Sequence, residues 1–350
     1  MKIQKALFIK TKNIGDSIIL TASISALPKT FKYVDVICLP ESQFIFEMNN
    51  RVRNIFVIPR HLSGFHKLRA YFNMYKKLFS EHYDLLAQFS FDWRGAFLAR
   101  FINVDLSVAR RNAHRGFFWE RSFDHIASPF DLKRSIADQD VDLLRLINLY
   151  EKKLAPGYSL NVKSSQKNKI LRWLEKKHLD FKSNWIVIHA SSRWKFKEIP
   201  KTTWVRVIDA LALKNISVVL SGSQSDLQDN EDIISLCKSK PILVKNFSLK
   251  DTAALYQLAN LVVTIDSMST HLSSAVGTPV ICIFGPTSDK NWGPWMVKHK
   301  IIALGEADDP SFSCRPCYKE GCDGSRVSDC LTQVNYKSII DNICDLLNKK

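Results

Sequence analysis

What the chain lacks narrows its class before any motif is read. No stretch approaches the ~20 apolar residues that a helical bilayer span requires. The apolar run near the start, Ala6 to Ile9, is too short for a signal-peptide core, and no small-residue cleavage site follows it. A protein that stays in the cytosol is the expectation. No repeat of fixed short period and no low-complexity tract is present. No Gly-x-Gly-x-x-Gly loop follows the first apolar run, which counts against a nucleotide-binding oxidoreductase. The recognition-helix and aromatic-platform signatures of nucleic-acid binders are missing as well. Acidic residues are outnumbered: 34 Asp and Glu face 50 Lys and Arg, a net charge of +16. That excess favours anionic partners such as phosphorylated substrates or acidic lipid surfaces, and says nothing about fold. The eight cysteines do not form a disulfide framework by default in a cytosolic chain of this length.

What is present is an ordinary globular balance, 46% hydrophobic and 24% charged residues, which excludes wholesale disorder. A length of 350 residues points to two domains. Lys5 to Lys10 is a short apolar run ending in a polar loop, Thr11 to Ser17. Ile18 to Leu27 has helical spacing closed by Pro28, and Val34 to Leu39 reads as the next strand. The alternation is clearer in the second half. Strands are expected at 185–189, 217–220, 261–265 and 279–284, with helices at 202–213, 226–237, 248–258 and 267–276. Such alternation implies an α/β fold with parallel sheets covered on both faces. Ligands of these sheets lie beyond the carboxyl ends of the strands, so the loops after the strands carry the information.

The first such loop is Lys12-Asn13-Ile14-Gly15-Asp16-Ser17. Asp16 at a helix start is ordinarily a cap. At the mouth of a cleft it could instead take a proton from an acceptor hydroxyl. The second, His189 to Pro200, offers the hydroxyls of Ser191 and Ser192 and a lysine, Lys197, suited to a diphosphate. It also reads as an ordinary polar surface loop. In the third, Ile265 to His271, Ser267 to Thr270 begin a helix whose amides point at any anion bound there, and Asp266 precedes it. A histidine placed like His271 is usually a packed, hydrogen-bonded side chain. The fourth segment, Gly285-Pro286-Thr287 and then Trp292-Gly293-Pro294-Trp295, is adequately explained by packing.

Taken in order, FIKTKNIGDSIILTASISALP, HASSRW with KEIP, and LVVTIDSMSTHLSSAVGTPVICIFGPTSDKNWGPW resemble glycosyltransferase family 9, the bacterial lipopolysaccharide heptosyltransferases. Each motif alone is weak; the ordered set, running from residue 6 to about 331, is specific. CRPCYKEGCDGSRVSDCL looks most like the heptosyltransferase III branch, which adds a third inner-core heptose. The resemblance implies a GT-B fold, two Rossmann-like domains facing a central cleft. Expected boundaries are 1–165 for an acceptor-binding domain and 166–335 for a nucleotide-sugar domain. Residues 336–350 are expected to form a helix packing back toward the N-terminal domain. The resemblance further implies inverting transfer of heptose from ADP-L-glycero-D-manno-heptose to the lipopolysaccharide inner core, with Asp16 as general base. Ser191, Ser192 and Lys197 match its diphosphate loop, Asp266, Ser267 and His271 its helix-start donor site. Phe247 falls at the adenine contact and Asp226 near an acidic ribose contact. Three positions depart from the family pattern: Met268 replaces Gly, Asp226 replaces Glu, and Ile199 replaces Trp.

Arg94, Arg100, Arg110, Arg111, Arg115 and Arg121 crowd one stretch, with Phe117, Phe118 and Trp119 among them. A solvated basic face explains them. So does an acceptor and membrane patch, with Arg94, Arg110, Arg111 and Arg115 binding phosphates and acidic sugars. A peripheral place at the cytoplasmic face of the inner membrane is then expected. Cys314, Cys317, Cys322 and Cys330 form C-x2-C-x4-C-x7-C. Four thiols so spaced could hold a structural zinc, but the spacing fits no common zinc module; no cofactor is expected beyond the donor substrate. The competing readings are a GT-B transferase of another nucleotide sugar, such as N-acetylglucosamine, the oxidoreductase, and a nucleic-acid binder suggested by charge alone.

Overall fold

The structure, a computed structural model, describes residues 4–150, 157–305 and 310–348. It divides into two compact units, Met1–Asn161 and Val162–Lys350. The first begins with strand β1 (Gln4–Lys10), helix α1 (Ile14–Ala26), β2 (Phe31–Cys38), α2 (Gln43–Glu47), β3 (Val52–Val57) and α3 (Gly64–Phe79). It continues through β4 (His82–Tyr83), β5 (Leu85–Gln88), α4 (Trp93–Phe101), β6 (Asn103–Val104) and β7 (Ser107–Arg110). The last three elements are α5 (Gly116–Glu120), β8 (His125–Ala127) and α6 (Ile136–Leu146). Six strands form one sheet in the order β3-β2-β1-β5-β7-β8, every pairing parallel, while β4 and β6 pair separately.

The second unit runs α7 (Ser164–Lys176), β9 (Trp185–His189), α8 (Lys201–Ala212), β10 (Ser217–Ser221), α9 (Leu227–Leu236), β11 (Ile242–Leu243) and α10 (Leu249–Leu258). Then come β12 (Leu261–Ile265), α11 (Met268–Val276), β13 (Val280–Phe284), α12 (Asp289–Trp292), β14 (His299–Ala303), α13 (Asp329–Thr332) and α14 (Tyr336–Asn348). Its sheet, β11-β10-β9-β12-β13-β14, is parallel throughout. Both sheets have the doubly wound order 3-2-1-4-5-6, counted within each unit. The order reverses between β1 and β5 in one and between β9 and β12 in the other, and loops at those points open toward ligands.

Continuous apolar runs make the central strands. In β9, β12 and β13 every residue is buried, as a sheet covered on both faces demands. Ile199, standing where the family pattern has Trp, is buried in the same core beside Trp204 and Val207. The expected boundary at 165/166 falls inside the first turn of α7; the units divide ahead of that helix, at 161/162. Of the helix expected at 336–350, Tyr336–Asn348 forms α14, and 349–350 lie outside the described residues. Its apolar face, with Ile339, Ile343 and Leu347, is spent inside the second unit against α8, β12 and β14.

Two polar contacts, one buried and one half-buried, fix the frame of the first unit. Lys10, at the end of β1, donates to Asp140 on α6 at 2.7 Å, and both side chains are almost fully buried. Arg51, in the connection before β3, donates through Nη1 to the carbonyls of Ile24 and Leu27. Its Nη2 donates to those of Pro28 and Phe31. The last turn of α1 has no basic residue of its own and no glycine after it, so Arg51 supplies the partners its terminal carbonyls need.

Removing one member of a buried ion pair strands the other charge. We expect Asp140→Ala to cost about 3 kcal/mol. The double change Lys10→Met with Asp140→Leu should recover most of that, because an apolar pair strands nothing. Urea unfolding followed by circular dichroism reads both; equal losses in the single and double variants would contradict the account.

Candidate active site

In the first unit the loops after β1 and β5 are tied together at the switch point. The Thr11 hydroxyl donates to the carboxylate of Asp92, and the Ser90 hydroxyl donates to the same oxygen at 2.9 Å. Asp92 in turn caps α4 through the amide of Arg94 at 3.0 Å. Lys12 reaches over the ring of Phe91, 5.5 Å from its centre. This fixed loop presents α1, whose first turn carries Asp16, half-buried, in the third position. Asn13 precedes the helix without a side-chain cap, and Asp16 does not supply one. Among the described residues nothing bonds the Asp16 carboxylate, which sits where the helix dipole favours negative charge.

The arginines of the basic stretch separate on folding. Arg110 is buried, donating to the carbonyls of Ser128 and Gln139 and lying 4.5 Å from the ring centre of Phe130. Burial lowers its pKa from the usual value. Its guanidinium holds β7 to α6 and is not on the surface, which corrects its expected place among acceptor ligands. Arg94 is half-buried beside Asp92 at 3.7 Å, Arg111 is exposed and pairs with Glu120 at 3.2 Å, and Arg115 immediately precedes α5.

In the second unit the loops after β9, β12 and β13 converge on one carboxylate. Lys197 Nζ meets Asp266 Oδ2 at 2.6 Å. Thr287 Oγ1 donates to the same oxygen at 2.5 Å. Asp266 is buried at the end of β12 and stands immediately before Ser267, which caps α11 by accepting from the Ser269 amide. Gly277 ends that helix at φ 79°, a left-handed position that favours glycine. Met268 is the half-buried first residue of α11, and His271 is buried one turn further in. Ser191 is buried; Ser192 donates its amide to Glu198 Oε1 at 2.9 Å. Glu198 also receives Lys195, which reaches Asp229 at 2.6 Å, so of the two loop lysines it is Lys197 that stands at the helix start.

Asp226 and Phe247 lie further along the sheet edge. Asp226 is half-buried before α9 and accepts the Ser223 amide at 2.7 Å and hydroxyl at 2.6 Å through one oxygen, Oδ2. Phe247 packs its ring edge-on to Trp173 with centroids 4.8 Å apart, next to the Ser248 cap of α10. The sequence assigns Thr287 to a packed turn and gives Glu198 no role of its own, yet both bond into these loops. The signal for Thr287 was its turn following β13, the strand beside β12. Beneath the site runs a buried polar chain. His189 Nδ1 lies 3.3 Å from the Ser221 hydroxyl, which is 3.3 Å from Tyr256 Oη, and Tyr256 donates to Ser269 at 3.0 Å.

The four clustered cysteines are free thiols on one segment, Cys314 exposed, Cys317 and Cys322 half-buried, and Cys330 buried. Burial pushes the Cys330 thiol up to about 11, and Cys322, Cys317 and Cys314 nearby add to the effect. Cys322 Sγ accepts the Asp329 amide at 3.5 Å. Among the described residues, the group with three candidate ligand atoms within 4.8 Å of one another is His82, Asp84 and Asp105, not these thiols.

The model of glycosyltransferase family 9 (heptosyltransferase) matches residues 71–321. The chain belongs to this family. Among curated relatives, lipopolysaccharide heptosyltransferase 3 of Escherichia coli is 26% identical over 289 residues, 80% of this chain and 83% of that protein. A solved family 9 glycosyl transferase from Veillonella parvula superposes with a TM-score of 0.83 at 17% identity, covering 100% of this chain and 99% of that one. The E. coli ADP-heptose heptosyltransferase II superposes with a TM-score of 0.75 at 15% identity, covering 99% of each. The fold is therefore GT-B, built from two Rossmann-like units, and the chain is a glycosyltransferase. The oxidoreductase and nucleic-acid readings fall with that finding.

Burial pushes the pKa of His189 down from 6.5 to about 4. A histidine whose folded pKa is depressed resists the proton that the unfolded chain accepts. Stability should be intact above pH 6.5 and decline as pH falls toward 4. Urea midpoints at pH 7 and pH 5 should therefore differ, and His189→Asn should shrink the difference; an equal difference in the variant would assign it elsewhere.

Proposed function

We propose that this chain transfers a heptose from ADP-L-glycero-D-manno-heptose to the inner core of lipopolysaccharide, with inversion at the anomeric carbon. The observation that carries the reading is the meeting of Lys197, Asp266 and Thr287 at the N-terminus of α11. A cation and a helix start together make a site for a diphosphate. Family membership, and relatives named as lipopolysaccharide heptosyltransferases, support heptose as the sugar and lipopolysaccharide as the acceptor.

In this reading Lys197 turns from Asp266 to the donor diphosphate, and the α11 amides around Ser267 and Met268 face its oxygens. Ser191 and Ser192 line the same loop, with His271 behind the helix start. Asp226 would take a ribose hydroxyl through the oxygen its cap leaves over, and the Phe247–Trp173 pair offers an aromatic edge to the base. Asp16 takes the proton of the acceptor hydroxyl as that oxygen attacks the anomeric carbon. The bond to the diphosphate breaks in the same step, and the charge gained by the leaving ADP is stabilised by Lys197 and the helix amides. Arg94, Arg111 and Arg115 are the acceptor's candidate ligands, matching its phosphates and acidic sugars. An acceptor carried on lipid places the enzyme at the cytoplasmic face of the inner membrane.

Isothermal titration should show ADP binding in preference to UDP, weakened in Lys197→Ala. With ADP-heptose and acceptor, Asp16→Asn should lower kcat by about 10²–10⁴ while leaving ADP affinity unchanged. Lys197→Ala should lower the rate by about 10²–10³. Preference for UDP would keep a GT-B transferase and discard heptose as the donor sugar.

A further inference from the structure

The first unit wears an apolar face that its own core does not use. On α3 the core takes Met74 and Leu78. Phe65, Leu68 and Phe72 are 73%, 68% and 66% exposed, and Phe79 is exposed as well. At about 100° per residue these four fall within about 60° of one another, so they form one stripe. The helix thus has two apolar faces, one buried and one in water. Contiguous exposed apolar surface on a folded protein marks an interaction site.

The stripe continues onto neighbouring elements. Phe97 of α4 meets Tyr75 and Phe79 edge-on, with centroids 6.0 and 6.4 Å apart, and lies tilted against Phe101 at 4.8 Å. Arg100 donates to the carbonyl of Phe118 at 2.8 Å, joining α4 to α5, where Phe118 is 74% exposed. Charge accompanies it. Helix α3 holds His66, Lys67, Arg69, Lys76 and Lys77 and no acidic residue. Arg69 and Lys76 flank the aromatic stripe, offset from Phe65 by about 40° and 20° of helix rotation.

We propose that this face of α3, α4 and α5 docks the enzyme on an anionic bilayer, the aromatic rings entering the interfacial layer and the cations meeting lipid phosphates. Exposed rings with interleaved cations are what such a layer takes. None of the helices in the described residues is long and apolar enough to cross a membrane, so the mode is surface attachment. Geometry links the face to the acceptor side. Helix α4 starts at the Asp92 cap, and Asp92 is bonded to Thr11 in the loop before Asp16. The choice of a bilayer over other apolar partners rests on the lipid-linked acceptor proposed above.

Sedimentation of the full-length protein with phosphatidylglycerol–phosphatidylcholine vesicles tests this, with pure phosphatidylcholine vesicles alongside. Wild type should bind the anionic vesicles and release them as salt rises. Phe65→Ser with Phe72→Ser should weaken binding about tenfold or more at low salt. Arg69→Gln with Lys76→Gln should weaken it by about fivefold for each charge removed. Absence of wild-type binding to anionic vesicles overturns the proposal, as does binding unchanged in both variants. It is equally overturned if light scattering shows a dimer that the aromatic variant splits while no vesicle binding occurs, since a second copy would then cover the face. ADP titration separates the two claims. Wild type that fails to bind ADP yet binds anionic vesicles supports this face and sinks the donor reading alone.

Discussion

Asp266 directly follows β12, an inner strand of the second sheet, and its carboxylate is met by Lys197 from the loop after β9 and by Thr287 from the turn after β13. Three adjacent strand ends are thereby closed around a single buried charge. Without the lysine that charge would be unpaired in a nearly dry site, a costly state. Without the aspartate the lysine would have no fixed position beside α11. The start of α11, the cap by Ser267 and the placement of the β9 loop all depend on this arrangement.

The first unit solves the same topological problem with two hydroxyls donating to a carboxylate. There the loops after β1 and β5 meet through Thr11, Ser90 and Asp92. The cation, Lys10, is withdrawn into the core against Asp140. What this leaves at the surface is a carboxylate, Asp16, without a partner among the described residues. One switch point thus sets a cation beside a helix start, while the other leaves a carboxylate without a partner among the described residues; the proposed function gives the first to the diphosphate and the second to the acceptor hydroxyl. Two copies of one architecture reach opposite chemistry by the choice of which charge is buried.

Much of this was legible in the chain. Runs such as Trp185–His189 and Leu261–Ile265 are apolar throughout because both faces of their sheet are covered, and they appear as strands at the expected residues. The cap residues Ser248 and Ser267 mark their helices for the same local reason, a hydroxyl able to take an early amide. What stayed hidden is what depends on side chains meeting across distance. Arg110 looks like its neighbours in a basic stretch, and only folding shows that it points inward at two carbonyls and Phe130. Thr287 reads as part of a tight turn until β13 is placed beside β12. The stripe on α3 escapes a periodicity argument as well, because spacing reveals that a helix has apolar positions and not which of them a core will claim.

Arg51 has a further meaning for how this sequence is able to vary. Its guanidinium serves four carbonyls at once, two at the end of α1 and two in the turn that leads into β2. A lysine offers a single ammonium and lacks the planar fork that reaches all four. Yet the residue is only half-buried and lies in a connecting segment, where substitutions are normally tolerated. Substitution at position 51 should therefore be tolerated as poorly as at an interior position, because the helix bearing Asp16 is anchored there at its far end.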